Sequence, residues 1–240
     1  MKNIIITGCA KGLGLETSKM LAEAGYKILG ISRTPTEGYE KIKSDHLDNV
    51  FFYKFDFYEV KDISQLVKKI TKEHGRIFGL INNAALGHDG VLATMHESDI
   101  SSLLKVNVEA PILLTKYVSR SMLLNRKGRI INVGSIIGST GFNGLSVYGA
   151  TKSAIGGFTK SLARELGKSQ ITVNTLAPGY METNMTDGLI GIKLEKIKRR
   201  SCLGRLANVK EAASLILFLL SEEAAGITGT TFTVDAGSTA

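Results

Sequence analysis

The 240-residue sequence contains no tryptophan, three prolines and two cysteines, Cys9 and Cys202. Two cysteines are too few for a disulfide scaffold or for a cysteine-based zinc site. The longest nearly apolar run, residues 212–220, is much shorter than the roughly 18 residues that indicate a membrane span. The isoleucines before Thr7 are likewise fewer than the about 7–15 apolar residues of a signal peptide. We therefore expect a cytoplasmic protein with reduced thiols, no metal site and no membrane segment.

Positive charge and glycine are abundant in this sequence. Lys and Arg total 30 against 22 Asp and Glu, which gives a net charge of +8, and there are 26 glycines. Such a charge suits three kinds of partner, namely nucleic acid, an anionic cofactor or an acidic protein. Hydrophobic residues make up 43% of the chain, enough to bury a sizeable core. Because the chain has no internal repeat or linker-like stretch, its length favours a single domain spanning residues 1–240.

Short apolar runs alternate with helical patterns along the chain. Residues 15–24 have apolar side chains at helical spacing, and residues 63–70 have them at i, i+3, i+4 and i+7, which is typical of an amphipathic helix. Strands that alternate with helices form parallel sheets covered on both faces. We therefore predict an α/β fold, a single doubly wound Rossmann-type domain. Its strands are predicted at residues 3–7, 27–31, 50–55, 77–81, 129–133, 171–176 and 231–234.

Polar and glycine-rich segments follow six of these strands. In open parallel sheets, ligands bind beyond the carboxyl ends of the strands. Six successive strand ends therefore predict one shared ligand crevice. The segments are residues 7–14, 32–33, 56, 82–85, 134–135 and 177–179.

The first of these segments has glycines at Gly8, Gly12 and Gly14, with Lys11 and Leu13 between them. Glycines at a strand–helix turn let the backbone approach a pyrophosphate, which the free N–H groups of the helix N-terminus then bind. The spacing differs from G-x-G-x-x-G, and the loop lacks the G-K-[ST] ending of a nucleoside-triphosphate site. A purely structural turn is the alternative interpretation.

The end of the second strand indicates which dinucleotide binds. NAD-binding proteins usually carry an acidic residue there, but this chain has Arg33. A guanidinium can pair with the 2′-phosphate of NADP, and Lys11 can add a second cation. NADP(H) is therefore favoured over NAD(H), the alternative being that both cations are solvated surface charges. Asp56, after the third strand, could accept a hydrogen bond from the adenine amino group or serve only as a turn residue.

Tyr148 and Lys152 are four residues apart, which places them on one face of a helix. A nearby ammonium lowers the pKa of a phenol from about 10 and prepares it for proton transfer. Ser135, at the end of a strand, could orient a substrate oxygen. Asn107 lies in an apolar helical pattern, where a water bridging to Lys152 could satisfy its amide. Because Y-x-x-x-K occurs by chance in many helices, the pair alone is a weak signal.

Together, these motifs resemble those of the short-chain dehydrogenase/reductases in order and spacing, over essentially the whole chain. The resemblance is strongest to the 3-oxoacyl-[acyl-carrier-protein] reductases, through residues 128–135, 160–166 and 227–237. The matching motifs are Thr7-Gly8-x-x-x-Gly12-x-Gly14, Asn82-Asn83-Ala84, Asn107, Ser135, Tyr148-x-x-x-Lys152 and Pro178-Gly179-x-x-x-Thr183.

The resemblance implies a seven-stranded parallel sheet, usually in a homotetramer whose interface involves helices around residues 106–124 and 149–167. It implies NADPH-dependent reduction of a 3-oxoacyl thioester by a tetrad of Asn107, Ser135, Tyr148 and Lys152. In that tetrad Tyr148 is the acid, Lys152 lowers its pKa and binds the nicotinamide ribose, and Asn107 holds a relay water. The cofactor contacts it implies, together with those inferred above, are Gly8, Lys11, Gly12, Leu13, Gly14, Arg33, Asp56, Phe57, Asn83, Ala84, Tyr148, Lys152, Pro178, Gly179, Met181 (through its backbone) and Thr183.

Two positions depart from the family pattern. Ala85 stands where the family usually has glycine, which would cost energy if this position required a positive φ. His88 stands where these reductases often carry arginine, and we expect it to be a loop residue. These departures weaken the assignment to fatty-acid synthesis and leave the tetrad intact.

Basic residues are concentrated in the expected substrate lid, about residues 183–205, and at residues 126–129 before the strand that leads to Ser135. A basic rim would steer an acidic acyl carrier protein towards the site, although a solvated helix face is the alternative. Other possible functions are the reduction of a different ketone, such as an acyl-CoA or a sugar, and a non-catalytic NADP(H) sensor. A nucleic-acid-binding protein is disfavoured, because no recognisable binding motif is present.

Replacing Arg33 with aspartate should reverse the cofactor preference from NADPH to NADH. The carboxylate repels a 2′-phosphate and accepts hydrogen bonds from a 2′-hydroxyl. Steady-state kinetics with both cofactors measure this change, and an unchanged KM for NADPH would contradict the assigned role of Arg33.

Overall fold

Seven short strands rich in isoleucine and valine form one sheet. In the computed structural model, which describes residues 1–181 and 192–240, all neighbouring strands pair in parallel in the order β3-β2-β1-β4-β5-β6-β7. The doubly wound fold with seven parallel strands is thereby confirmed. The strands are β1 (Asn3–Thr7), β2 (Lys27–Ser32), β3 (Val50–Lys54), β4 (Ile77–Asn82), β5 (Gly128–Val133), β6 (Ile171–Pro178) and β7 (Thr231–Val234).

Helices cover both faces of this sheet. Those of the described residues are α1 (Gly12–Glu23), α2 (Glu37–Asp45), α3 (Ile63–His74), α4 (Glu97–Leu104), α5 (Ala110–Asn125), α6 (Ile137–Thr140), α7 (Ser146–Leu166), α8 (Ile192–Arg200) and α9 (Val209–Leu220). Helices α3, α5 and α7 pack on one face, while α1, α2 and α9 pack on the other. None of the helices in residues 1–181 and 192–240 is both long and apolar enough to span a membrane.

The central strand β1 shows why its sequence is apolar without alternation. Successive side chains of a strand point to opposite faces. Ile5 accordingly packs against α3, α5 and α7, whereas Ile4 and Ile6 pack on the side of α1, α2 and α9, and all three are fully buried. A parallel strand with helices on both faces therefore needs apolar residues at every position.

Helix α1 begins at Gly12, three residues before the start that the apolar periodicity predicts. The first turn of α1 packs directly on the end of β1, because a Cβ at Gly14 would lie 2.1 Å from the carbonyl oxygen of Gly8. Gly12 and Gly14, which the apolar periodicity places in a loop, therefore belong to the first turn of α1. This close approach brings the start of α1 to the crevice.

The basic residues before β5 lie far from Ser135. Arg126 and Lys127 precede β5 and Arg129 is its second residue, whereas Ser135 follows its carboxyl end. Lys127 and Arg129 also approach Glu222 to 2.9 and 3.6 Å, and Arg129 is buried. The prediction that this cluster lines the active-site rim is therefore wrong for these two residues within this chain, because the amino end of a parallel strand lies at the edge of the sheet opposite to the crevice. Arg126 is exposed and donates a hydrogen bond to the carbonyl of Lys168.

The predicted lid is described only in part. Thr183 and the rest of residues 183–191 lie outside the described residues, whereas residues 192–200 form α8. Arg205 forms a two-bond ion pair with Glu211, with N–O distances of 3.1 and 2.7 Å. Its charge is thus already compensated within the chain.

Candidate active site

The turn between β1 and α1 follows the carboxyl end of β1 and leads into the first turn of α1. Gly8 and Gly12 have φ angles of +66° and +49°, which favour glycine, and the Gly8 N–H donates to the carbonyl of Ile31 at 2.8 Å. The residue before the helix, Lys11, is extended, and its side chain caps none of the described backbone donors of α1. With no acidic residue in the first turn, the N-terminus of α1 is chemically suited to an anion.

Thr7 and Asn83 join the ends of β1 and β4. The Thr7 hydroxyl accepts hydrogen bonds from the N–H groups of Asn83 and Ala84, both at 2.9 Å. The Asn83 amide donates to the carbonyls of Thr7 and Gly8, at 2.9 and 3.2 Å. Asn83 therefore holds the glycine turn in shape at the crevice between β1 and β4.

The two departures from the family pattern are accommodated without strain. Non-glycine residues with positive φ in the described part of the chain are Arg126, Gln170 and Ala236, so Ala85 avoids the left-handed region. His88 lies in the same loop, where its Nε2 is 3.4 Å from the carboxylate of Asp99. The extra methyl of Ala85 thus has no backbone cost, and His88 lies beside a surface carboxylate.

The residues predicted to contact the adenosine half follow the ends of β1, β2 and β3. Lys11 and Arg33 are both exposed, next to neighbouring strands. Asp56 accepts a hydrogen bond from the N–H of Tyr58 at 3.0 Å, which is the turn role, through one of its two carboxylate oxygens. Phe57 is buried against Phe55, with ring centroids 5.3 Å apart, so its side chain belongs to the core.

Helix α7 carries Tyr148 and Lys152 on one face, as the spacing predicts. The Lys152 ammonium lies 5.6 Å from the centroid of the Tyr148 ring and donates to the carbonyl of Val133 at 2.9 Å. Lys152 is buried, and this burial lowers its pKa to about 8. A cation is therefore held at the carboxyl end of β5, next to the phenol.

The expectation that Lys152 lowers the pKa of Tyr148 is not met in this structure. Burial raises the pKa of Tyr148 to about 12, and a hydrogen bond with Ser135 lowers it by less than burial raises it. Asp89 and Tyr180 raise the pKa further. The physical reason is that the phenol is withdrawn from water, which disfavours its charged form.

Asn107 lies in a π-helical turn, Lys105–Glu109, between α4 and α5. Its side-chain oxygen accepts from the N–H of Leu86 at 2.8 Å. Its side-chain nitrogen donates to the carbonyl of Leu86 at 2.9 Å and to the Thr151 hydroxyl at 3.3 Å. The side chain of Asn107 therefore joins the loop after β4 to α7. Single π turns inside helices are frequent at functional sites.

The family model for short chain dehydrogenases matches residues 2–190. The chain belongs to the short-chain dehydrogenase family. Two curated relatives are 3-oxoacyl-[acyl-carrier-protein] reductases called FabG. The protein of Vibrio cholerae is 39% identical over 237 residues, covering 98% of this chain and 96% of the relative. The protein of Escherichia coli is 36% identical with the same coverage.

Solved structures of other short-chain dehydrogenases have the same fold. The structure of ElxO with NADP bound superimposes with a TM-score of 0.91 at 29% identity, covering 99% of this chain and 98% of ElxO. A mutant of a Serratia marcescens short-chain dehydrogenase/reductase also has a TM-score of 0.91, at 28% identity, and covers 100% and 98% of the two chains. The likeness therefore extends over the whole dehydrogenase domain.

Two aromatic residues beside the crevice of this dehydrogenase are absent from the sequence-based site. The rings of Phe142 and Tyr180 meet edge to face at 6.1 Å, and Phe142 is exposed. Tyr180 lies between two predicted cofactor contacts, Gly179 and Met181, and this position was the available signal. No sequence signal pointed to Phe142. Its loop is fixed by tertiary contact, since the carbonyl of Gly144 accepts a hydrogen bond from the N–H of Gly90 at 2.9 Å. Met181 forms an isolated bridge with Ala207 beyond the carboxyl end of β6.

Burial of the Lys152 ammonium should cost this dehydrogenase stability. Below about pH 8 both the folded and the unfolded chain carry this proton, so the folded state bears the whole desolvation cost. That cost disappears as the pH rises from about 8 towards 10.5. Lys152→Met should therefore raise the free energy of unfolding at pH 7, by something on the order of 2–3 kcal/mol.

Denaturant unfolding at pH 7 and pH 10.5 measures this effect, with the exposed Lys160→Met on the same helix as the matched control. The Lys152→Met gain should shrink at the higher pH, while Lys160→Met changes little at either. A gain that stays the same at both pH values would contradict the burial cost.

Proposed function

We propose that the chain reduces a 3-oxoacyl thioester carried by acyl carrier protein to the 3-hydroxyacyl form, using NADPH. The broader class follows from the family and its relatives: the chain is an NADP(H)-dependent oxidoreductase acting on carbonyl or alcohol groups. The observation that carries the proposal is the convergence of Ser135, Tyr148 and Lys152 at the carboxyl end of β5. Relatives named as 3-oxoacyl-[acyl-carrier-protein] reductases support the choice of substrate.

The donors around the crevice fit a dinucleotide with an extra phosphate. The free N–H groups at the start of α1 suit a pyrophosphate. Lys11 and Arg33, both exposed after neighbouring strands, would hold the 2′-phosphate, and Asp56 has a second carboxylate oxygen for the adenine amino group. Along the rest of the crevice, the proposed contacts are Gly8, Gly12, Leu13, Gly14, Phe57, Asn83, Ala84, Tyr148, Lys152, Pro178, Gly179, Met181 and Thr183.

The bound cofactor supplies a hydride to the carbonyl carbon of the substrate. Ser135 orients the carbonyl oxygen by donating a hydrogen bond, and Tyr148 gives its proton to that oxygen as negative charge develops there. With its pKa raised by burial, Tyr148 carries its proton at neutral pH, which is the form that a proton donor requires. Lys152, whose ammonium donates to the Val133 carbonyl, would bind the nicotinamide ribose. Asn107 holds the loop that carries Leu86 against α7.

Carrier docking would use the basic surface of α8. Lys196, Arg199 and Arg200 are exposed there, whereas Lys198 is 3.5 Å from Glu195. A positive surface raises the encounter rate with an acidic carrier protein. Within the proposed lid, residues 183–205, α8 is thus the part that would meet the carrier.

A homotetramer is the assembly that we propose for the chain. Helix α5 leaves large apolar side chains on the surface of the single chain, among them Ile112, Leu123 and Leu124. Exposed apolar groups on one helix favour burial against another subunit. This supports an interface through α5 and α7, in a protein that would act in the cytoplasm.

Tyr148→Phe should reduce turnover by at least about 100-fold, because general acid catalysis by one residue contributes roughly 10²–10⁴-fold. NADPH affinity, measured by fluorescence titration, should change little because the ring and Lys152 remain. Tyr26→Phe, directly before the amino end of β2 and so at the opposite edge of the sheet from the crevice, is the matched control and should keep full activity. Turnover retained by Tyr148→Phe would refute the proton-donor role.

The substrate class is tested by following NADPH consumption with carrier-linked, CoA-linked and free 3-oxo compounds. We expect the highest kcat/KM for the carrier-linked substrate, with a KM that rises with salt as charge steering is screened. The triple variant Lys198→Glu, Arg199→Glu and Arg200→Glu should raise that KM and leave the KM of a free ketone unchanged. Equal kcat/KM for carrier-linked and free ketones would contradict carrier recognition.

A further inference from the structure

Five buried polar side chains form one hydrogen-bonded chain through the apolar core beneath the catalytic residues. The Asn82 amide donates to the Thr115 hydroxyl at 2.9 Å and to the side-chain oxygen of Asn132 at 2.8 Å. The Asn132 amide in turn donates to the Thr159 hydroxyl at 2.8 Å, which also bonds the Thr175 hydroxyl at 2.8 Å. None of the five is more than 6% exposed. The Asn82 side-chain oxygen has no hydrogen-bond partner among the described residues. Burying polar groups is costly unless they are bonded, so the bonds that join Asn132, Thr159 and Thr175 specify how these side chains are arranged.

This polar chain ties both helices of the proposed tetrad to the sheet. Thr115 lies on α5, the helix that follows the π turn of Asn107, and Thr159 lies on α7. Asn82, Asn132 and Thr175 belong to β4, β5 and β6. The same face of the sheet otherwise packs against α5 and α7 through apolar side chains such as those of Leu114 and Leu162.

The bond between Asn132 and Thr159 fixes the position of α7 along its axis. Thr159 is seven residues, or about two turns, beyond Lys152, so both face the sheet. Lys152 bonds the carbonyl of Val133, the residue directly after Asn132. Helix α7 is therefore bonded to the end of β5 at two positions along the helix axis, Lys152 and Thr159. Apolar contacts are non-directional and tolerate sliding, whereas two hydrogen bonds at different heights do not.

We propose that Asn132 and Thr159 are positioning residues, which hold α7 at the height where Tyr148 meets Ser135. This inference rests on the proposed function of Tyr148 and Ser135. Ser135 follows Asn132 by three positions, so the Asn132–Thr159 hydrogen bond and the reacting groups share one short stretch of backbone. A shift of α7 along its axis would move Tyr148 and Lys152 together relative to Ser135.

The test compares Thr159→Val with Thr159→Ser. Valine keeps the shape of threonine and removes the hydroxyl, whereas serine keeps the hydroxyl. We expect kcat to fall about 10- to 100-fold in Thr159→Val, because small misplacements of reacting groups have effects of this size. The KM of the ketone should stay within about threefold, since α7 height affects the chemical step more than binding. Thr159→Ser should restore kcat to near the wild-type value.

Two controls separate positioning from loss of stability. Ile70→Val removes a methylene from the core on the same face of the sheet, and should lower stability while leaving kcat unchanged. Thr17→Val removes a buried hydroxyl that has no hydrogen-bond partner among the described residues, and should leave kcat unchanged. If Ile70→Val lowers kcat as much as Thr159→Val does, the effect is one of stability and the inference is overturned.

A second measurement does not depend on turnover. Acetic anhydride labelling at pH 8, quantified by mass spectrometry, reports how accessible the Lys152 amine is. The buried amine should label slowly in the wild type, Thr159→Ser and both controls, and severalfold faster in Thr159→Val. If the wild type turns over none of the ketones, the proposed function fails. The labelling still tests whether the Asn132–Thr159 hydrogen bond holds α7 in place. The inference would be overturned if Thr159→Val labelled Lys152 as slowly as the wild type and had the kcat of the wild type. If Thr159→Val does not fold, Thr159→Cys is measured in its place.

Discussion

The parallel pairing of β1 with both β2 and β4 is the constraint on which the rest of the structure depends. The chain leaves β3 at one edge and returns as β4 on the other side of β1, so a crevice opens between β1 and β4. Thr7 and Asn83 join the two strand ends across that crevice. The glycine turn, the crevice and the proposed nicotinamide site all follow from this one crossing.

Close packing between α1, the end of β1 and Asn83 explains why glycines are needed at positions 8 and 14. A Cβ at Gly14 would meet the Gly8 carbonyl oxygen at 2.1 Å, and one at Gly8 would meet the Asn83 amide at 2.9 Å. The start of α1 can therefore press on β1 only if these positions lack side chains. This approach brings the N–H groups of the helix to where a phosphate would lie. At the carboxyl end of β5, burial of the Lys152 ammonium costs stability and leaves a cation beside Tyr148.

Much of the fold could be predicted from residue patterns, because a parallel strand buried on both faces is apolar throughout and ends in polar or glycine-rich residues. The same logic placed Tyr148 and Lys152 on one helix face. It failed for the pKa of Tyr148, since burial by the surrounding elements outweighs charge spacing along one helix. It also failed for Lys127 and Arg129, because the amino end of β5, where both approach Glu222, lies at the opposite edge of the sheet from the crevice.

By itself, the sequence determined the alternation of elements, the glycine turn and the spacing of Tyr148 and Lys152, since these depend on local periodicity and short-range geometry. Only the tertiary structure decided the partners of Asn107, the early start of α1 and the aromatic pair of Phe142 and Tyr180. It likewise brought Asn132 onto Thr159. These contacts join residues distant in the chain, and their geometry exists only once the strands have paired and the helices have packed on them.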